Sequence, residues 1–308
     1  MTMSMVVLGA IFVDIKGYPV GNYIPGGRNA GMVEYVHGGV SRNIAEDLGN
    51  LDLNPVFISL VDNTGMGAEV IGRLERHHVE TRYIRKVPDG MGTWLAIFDN
   101  SNDVCASISR RPDLSPLMNT LKLDGEEIFS GADSVLLEID MDRDIVGEVF
   151  YLCEKYGKKI YAAVSNIRIA MERRDLFRRI DCFVCNWQEA GLLFAEDLTG
   201  LDPESMAARL AELLRSAQIP SMVVTLGEAG AVWANQDGLF GVCPALPMPV
   251  TDTTGAGDAF FSGVAAGLTY GKSLAEACSI GTRLASAVIC SLDNTCPHFE
   301  PEEFGLIR

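Results

Sequence analysis

Residues 252–260, Asp252-Thr253-Thr254-Gly255-Ala256-Gly257-Asp258-Ala259-Phe260, run straight into the helical pattern AFFSGVAAGL. Two glycines at the first turn of a helix leave backbone N–H groups uncovered by side chains, and the helix dipole adds positive potential at the same point. Gly255, Ala256 and Gly257 therefore form a candidate anion site. Asp258 would sit beside a bound phosphate, where its carboxylate can accept a proton from an attacking hydroxyl. A plainer reading makes this a turn in which Asp258 only favours the start of a helix. Taken alone, the segment does not separate the two.

Earlier in the chain, Thr225-Leu226-Gly227-Glu228-Ala229-Gly230 follows the strand pattern SMVV, and Asn186-Trp187-Gln188-Glu189 follows CFVC. Near the N-terminus, Gly38-Gly39-Val40-Ser41-Arg42-Asn43 again sets bare backbone before a helix, with the Asn43 amide one turn in, suited to gripping polyol hydroxyls. Asp14 closes the first strand pattern, MVVLGAIFVDI, at the carboxyl end where open α/β sheets bind ligands. Each has a bland alternative: a glycine loop, a strand-ending turn, a helix cap.

Between these segments, strand-like and helix-like runs alternate, which reads as α/β with a mostly parallel sheet. PVFISLV, SVLLEID, KIYAAVS, CFVCN and SMVVTLG have the length and apolar character of buried parallel strands. DRDIVGEVFYLCEKYG and PESMAARLAELLRSA are helical, punctuated by Gly157 and Pro220. Residues 16–37 and 81–111 break the alternation. In the second of these, ETRYIRKV, TWLAIFD and VCASISR read as successive antiparallel strands, so both stretches are expected to leave the main sheet and form a small β lid that excludes water.

A chain of 308 residues with 48% hydrophobic and 21% charged residues can bury a large core. Its formal net charge of -16 repels a phosphate backbone, and the basic clusters RRPD and ERRDLFRR are mixed in sign, so nucleic acid is excluded as a partner. No apolar run is long enough to span a membrane, and the first residues lack the basic and small-residue pattern of a signal peptide, which makes cytoplasm the expected compartment. The eight cysteines, including Cys105, Cys153, Cys182, Cys278 and Cys290 among apolar neighbours, read as buried thiols.

GGVSRN, NWQE, TLGEAG and DTTGAGDAF, in that order across most of the chain, resemble the signature set of the ribokinase-like PfkB carbohydrate kinase family. The resemblance implies a single kinase domain over residues 1–308, ATP as phosphoryl donor, Mg²⁺ as cofactor, and a small sugar or nucleoside as acceptor. It implies Asp258 as the base, Gly255, Ala256 and Gly257 as the anion hole, and Asp14, Gly38, Gly39 and Asn43 as the acceptor site. Asn186 and Glu189 match the motif that organises Mg²⁺ and phosphates through water. Thr225, Gly227 and Gly230 match the nucleotide loop, and Asp252 and Thr254 match positions that bind a monovalent cation such as K⁺. Within the family, GGRNAGMVEYVHGGVSRNIAEDLGNL is similar to bacterial pseudouridine kinases. LDNTCP resembles their Asn-rich turn, which adds Asn294 to the nucleotide site. The sequence departs from many relatives at AAVSN, where they carry Asp-Pro. Pairing of exposed lid edges makes a homodimer the expected assembly.

Several features are read as decoys. Gly271-Lys272-Ser273 lacks the first glycine of a P-loop, Cys182-x-x-Cys185 lies inside an apolar strand, and His77 and His78 end a polar helix. A dinucleotide-binding reading fails because no glycine fingerprint follows the first strand. Glu138 ends SVLLE and reads more readily as solvated than as a sugar contact. Trp94, Phe98 and Ile108 are candidates either to stack on a ring or to be buried against the sheet.

Overall fold

The structure, a computed structural model, describes residues 3–100 and 104–307. The chain opens with β1 (Met5–Leu8), enters a second sheet through β2 (Phe12–Pro19) and β3 (Gly31–Gly38), and returns through α1 (Val40–Gly49) to β4 (Val56–Val61). Next come α2 (Gly65–Arg76) and the short strand β5 (Ile84–Lys86), after which β6 (Gly92–Phe98) and β7 (Val104–Arg110) rejoin the second sheet. The centre is built by α3 (Leu117–Gly131), β8 (Ser134–Glu138), α4 (Arg143–Tyr156), β9 (Lys159–Ala163) and the single-turn α5 (Ile167–Ala170). It continues through β10 (Cys182–Asn186), α6 (Trp187–Phe194), α7 (Pro203–Ala217) and β11 (Ser221–Thr225). Strands β12 (Ala231–Asn235) and β13 (Phe240–Cys243) then lead to α8 (Ala256–Thr269) and α9 (Leu274–Ile289).

The nine-stranded main sheet runs β13-β12-β11-β10-β9-β8-β1-β4-β5, and the four-stranded sheet runs β3-β2-β6-β7. Pairing is parallel from β11 to β5 and antiparallel at β12 and β13. Helices cover both faces of the main sheet, so MVVL and SVLLE are buried along their whole length instead of alternating. Val6 and Leu8 pack into one core with Phe129, Val149 and Leu210 from α3, α4 and α7. Met5 and Val7 pack into the other with Ile44, Val70, Phe261 and Leu284 from α1, α2, α8 and α9. Burying each of these large side chains contributes about 1.5–3 kcal/mol before chain entropy is counted.

Two features differ from the sequence reading. MVVLGAIFVDI is not one strand: β1 ends at Leu8, and Asp14 lies on β2 in the second sheet. The break comes at Gly9, which passes so close to α1 that a Cβ there would lie 2.7 Å from the Cβ of Ser41. In addition, ETRYIRKV does not join the lid. Ile84–Lys86 pairs in parallel with β4, because α2 carries the chain back along the sheet as a βαβ crossover and buries Ile84 in the core. The second sheet therefore takes its strands from residues 12–38 and 92–110, with β2 and β6 parallel and its other pairings antiparallel.

All eight cysteines are free, but Cys105 is exposed on β7, and Cys243 and Cys290 are only partly covered. Every described residue of β7 is exposed, so an apolar neighbourhood in sequence gave Cys105 no core to enter. Among the described residues, no helix is long and apolar enough to cross a membrane.

Candidate active site

The N-terminus of α8 and the first turn of α1 meet at the carboxyl end of the main sheet. The Nδ2 of Asn43 donates to Oδ2 of Asp258 at 2.6 Å. Gly39, the N-cap of α1, has φ 99°, and a Cβ there would meet the Ala10 carbonyl at 2.7 Å. Gly255 caps α8 with φ 84°, its Cα pressed against the backbone of Asn294. Both positions need glycine for conformation and for space. Gly257 is different, since nothing lies within 4 Å of where its Cβ would be. The Ala256 N–H donates to the Thr253 carbonyl at 3.2 Å within the turn, and the Gly257 position beside it is open.

Burial, partly offset by the Asn43 amide, pushes the Asp258 carboxyl up to about 6. Asp14 contributes to that rise and is itself raised by burial; its carboxyl lies against Gly38, where a Cβ would come within 2.6 Å of its Cγ. The second lone feature is the Oδ1 of Asn43, buried without a hydrogen-bond partner. A buried acceptor left bare is costly unless a ligand donates to it.

Thr225, Gly227 and Gly230 line a cavity of about 550 Å³ together with Ala256 and Gly257, so the candidate nucleotide loop and anion turn open into one space. Its outer wall is apolar, formed by Leu246, Pro247 and Met248 on one side and Ala285 and Ile289 on the other. Asn186 pairs with Thr225 across β10 and β11 and forms a capping box with Glu189, each backbone N–H donating to the other's side chain at 2.9 Å. Burial raises the Glu189 carboxyl, opposed by the Asn186 N–H. Asp252 Oδ1 accepts from the Thr254 N–H at 2.9 Å and its hydroxyl at 2.8 Å. Burial acts against the Asp252 charge, but these donors and nearby Lys16 outweigh it and leave the group low.

Asn294 does not line the cavity. It is buried, and its Nδ2 donates to the His37 carbonyl at 2.8 Å, so it supports the site from behind. Glu138 is also not solvated. It is 7% exposed, and its Oε1 accepts from the Ser41 N–H at 3.2 Å and hydroxyl at 2.6 Å. Burial, with the charge of Asp140 behind it, pushes Glu138 up to about 7. The AAVSN segment places Ser165 on Asp140, its hydroxyl donating to Oδ2 at 2.8 Å, and Arg111 donates to the same oxygen. Glu138, Asp140 and Arg111 share a small cavity of about 120 Å³.

Four residues that the motifs did not single out, Arg42, Glu46, Arg73 and Asp47, pack behind the site. Arg42 is fully buried on α1, bonding Glu46 at 2.9 Å and the carbonyl of His37. Arg73 also clamps Glu46; burial opposes the Glu46 charge, but Arg73 and Arg42 outweigh it and hold the group at about 2. Asp47, pushed well up by burial, accepts from Cys296 N–H and from the Ser262 hydroxyl, which also donates to the Asp258 carbonyl. An Arg and a Glu at i and i+4 were the available signal for the first pair.

On the second sheet, Asp14 pairs with Trp94 across β2 and β6, so Tyr18, Trp94 and Phe98 share its face. Tyr18 stacks on Phe98 at 4.8 Å, and Trp94 meets Phe98 edge-on at 6.4 Å. Ile108 pairs with Leu95 and so lies on the opposite, outer face at 71% exposure; it cannot join this cluster.

The model of the pfkB family of carbohydrate kinases matches residues 2–297. Guanosine-inosine kinase of Exiguobacterium acetylicum is 32% identical over 293 residues, covering 94% of this chain and 96% of that protein. Pseudouridine kinase of Escherichia coli is 21% identical over 292 residues, covering 94% and 92%. Arabidopsis thaliana ribokinase, solved with ribose and ATP, superimposes with a TM-score of 0.82 at 21% identity over 99% of this chain and 98% of that one. Ribokinase of Giardia lamblia does so with 0.84 at 16% over 98% and 99%. The fold is thus ribokinase-like.

Proposed function

The chain belongs to the pfkB family of carbohydrate kinases and is an ATP-dependent carbohydrate or nucleoside kinase; from that premise we propose that its acceptor is the primary hydroxyl of a nucleoside. Two observations support a nucleoside over a free sugar. The relative at 32% identity is named for guanosine and inosine, and Tyr18, Trp94 and Phe98 offer aromatic surface on the same lid face as Asp14, suited to a base. Purine nucleosides rank first for that reason. Pseudouridine, suggested by the likeness of residues 26–51 to pseudouridine kinases, ranks second, with a relative of that name at 21% identity.

The observation that carries the mechanism is the 2.6 Å contact between Asn43 and Asp258 at the first turn of α8, beside the open Gly257 position. Asp258 takes the proton of the acceptor hydroxyl as that oxygen attacks the γ-phosphorus of ATP. Asn43 orients the carboxylate and offers its bare Oδ1 to an acceptor hydroxyl, while Asp14 holds another. The Gly255–Gly257 turn stabilises the charge on the transferring group. Thr225, Gly227 and Gly230 hold the nucleotide, whose base fits the apolar end of the large cavity.

The donor set fits the expected cations. Glu189 keeps Oε1 outside its capping box, and an oxygen ligand of this kind suits Mg²⁺ held through water. Mg²⁺ supplies charge neutralisation to the phosphates when bound. Asp252 has Oδ2 left over from its bonds to Thr254, which suits a monovalent cation. The test is ADP release from ATP over a panel of guanosine, inosine, pseudouridine, ribose and fructose. Guanosine or inosine should give the highest kcat/KM. Turnover of the free sugars alone would end the nucleoside reading.

A further inference from the structure

Lys16 follows Asp14 by two residues on β2, so the two side chains leave the same face of the strand. It is 6% exposed. Its ammonium makes no hydrogen bond or ion pair with any described residue, including Glu34, its neighbour across the pair with β3. A long cationic side chain covered from water and left without a bonded partner is an arrangement that cores avoid.

The charges that act on Lys16 come from two sides. Asp14 lies next to it on the strand, and Asp252 lies on the loop that leads into the Gly255–Gly257 turn; both carboxyls are stabilised by its charge without bonding it. Tyr18, next on the same face, also feels the charge of Asp252, after burial and Glu34. The Gly255–Gly257 turn begins three residues after Asp252, while Lys16 stands on β2 of the second sheet two residues after Asp14.

We propose that Lys16 is a catalytic residue that binds the equatorial oxygens of the γ-phosphoryl group during transfer, opposite the Gly255–Gly257 turn. This rests on the kinase reading above. A loose transition state spreads charge over three equatorial oxygens, more than one wall of amides can meet, and a partnerless ammonium needs no bond broken before it engages. In the step, the bond from the γ-phosphorus to the β,γ-bridging oxygen breaks and its electron pair stays on ADP. The bond to the acceptor oxygen forms, and the acceptor proton goes to Asp258. Lys16 keeps all its protons.

The experiment uses the full chain with ATP and whichever nucleoside the wild type turns over best. Lys16→Met should lower kcat by about 100- to 1,000-fold and leave the acceptor KM within about threefold, with Lys16→Arg recovering part of the rate. Aluminium fluoride with ADP, a mimic of the transferring group, should bind the wild type more tightly than ADP alone, and Lys16→Met should lose that increment while ADP affinity holds. On the wild type, reductive methylation of Lys16 should be blocked by ADP with aluminium fluoride and not by ADP or acceptor alone, a readout that needs no folded variant. An unchanged kcat, a loss confined to acceptor KM, or methylation indifferent to aluminium fluoride overturns the proposal. A wild type without ATP turnover on any acceptor instead overturns the kinase reading, so the two failures are distinct.

Discussion

Asn294 donates to the carbonyl oxygen of His37 at 2.8 Å, fastening the loop packed under Gly255 to the last residues of β3 before Gly38 and Gly39. The same carbonyl also accepts from Arg42. One backbone oxygen thus joins the turn that faces phosphate to the loop that faces the acceptor. Asn294→Ala removes one of its two donors, and an outcome of about 1–2 kcal/mol lost in denaturant unfolding is expected. Because neither loop loses a side chain, kcat should fall while ATP KM changes little, measured by steady-state kinetics on the same preparation.

Asp258→Asn should lower kcat by at least about 1,000-fold, since the amide cannot take the hydroxyl proton while the rest of the site stands. The change removes a carboxylate that burial disfavours, so the melting temperature at pH 7 should be equal or higher. A variant that loses rate and stability together would mean Asp258 is structural.

With Asp258 raised to about 6, kcat/KM should climb as pH rises through 6, because only the ionised carboxylate accepts a proton. The sign for stability is opposite. Between the ordinary 3.8 and about 6, the folded chain holds a proton that the unfolded chain releases, so this group costs stability as pH rises across that window. Asn43→Ala withdraws the hydrogen bond that lowers Asp258, and the acid limb of the pH–rate profile should move to higher pH.

Gly255→Ala and Gly257→Ala should part company. At Gly255, φ of 84° and the backbone of Asn294 oppose a Cβ, so a loss of about 1–3 kcal/mol is expected in unfolding. At Gly257 a methyl fits without a clash and even favours the helix, so stability should hold or rise by up to about 1 kcal/mol. The methyl would nonetheless occupy the space over the amides, and ATP turnover should drop sharply.

What the sequence disclosed was local. The helix after DTTGAGDAF and the strands SVLLE, CFVC and SMVV each depend on residues close in sequence, so periodicity and glycine placement sufficed. Asp14 was assigned to the first strand but lies on β2 of the second sheet, because apolar runs do not reveal where a chain leaves one sheet for another. That same uncertainty hid Lys16, whose face follows from the β2 register, and put Ile108 with Trp94. Glu138 was read as solvated because its partner Ser41 lies 97 residues away, and nothing local pointed to the bond between Asn294 and His37, 257 residues apart.

The distribution of thiols has a practical consequence. Cys105 stands exposed on β7, the outermost strand of the second sheet, whereas Cys153, Cys182, Cys185, Cys278 and Cys296 are enclosed and Cys243 and Cys290 are partly so. A limiting dose of a maleimide dye will therefore attach first to an edge strand of the second sheet without any engineering. Its emission then reports any change around that edge when ATP and acceptor are added.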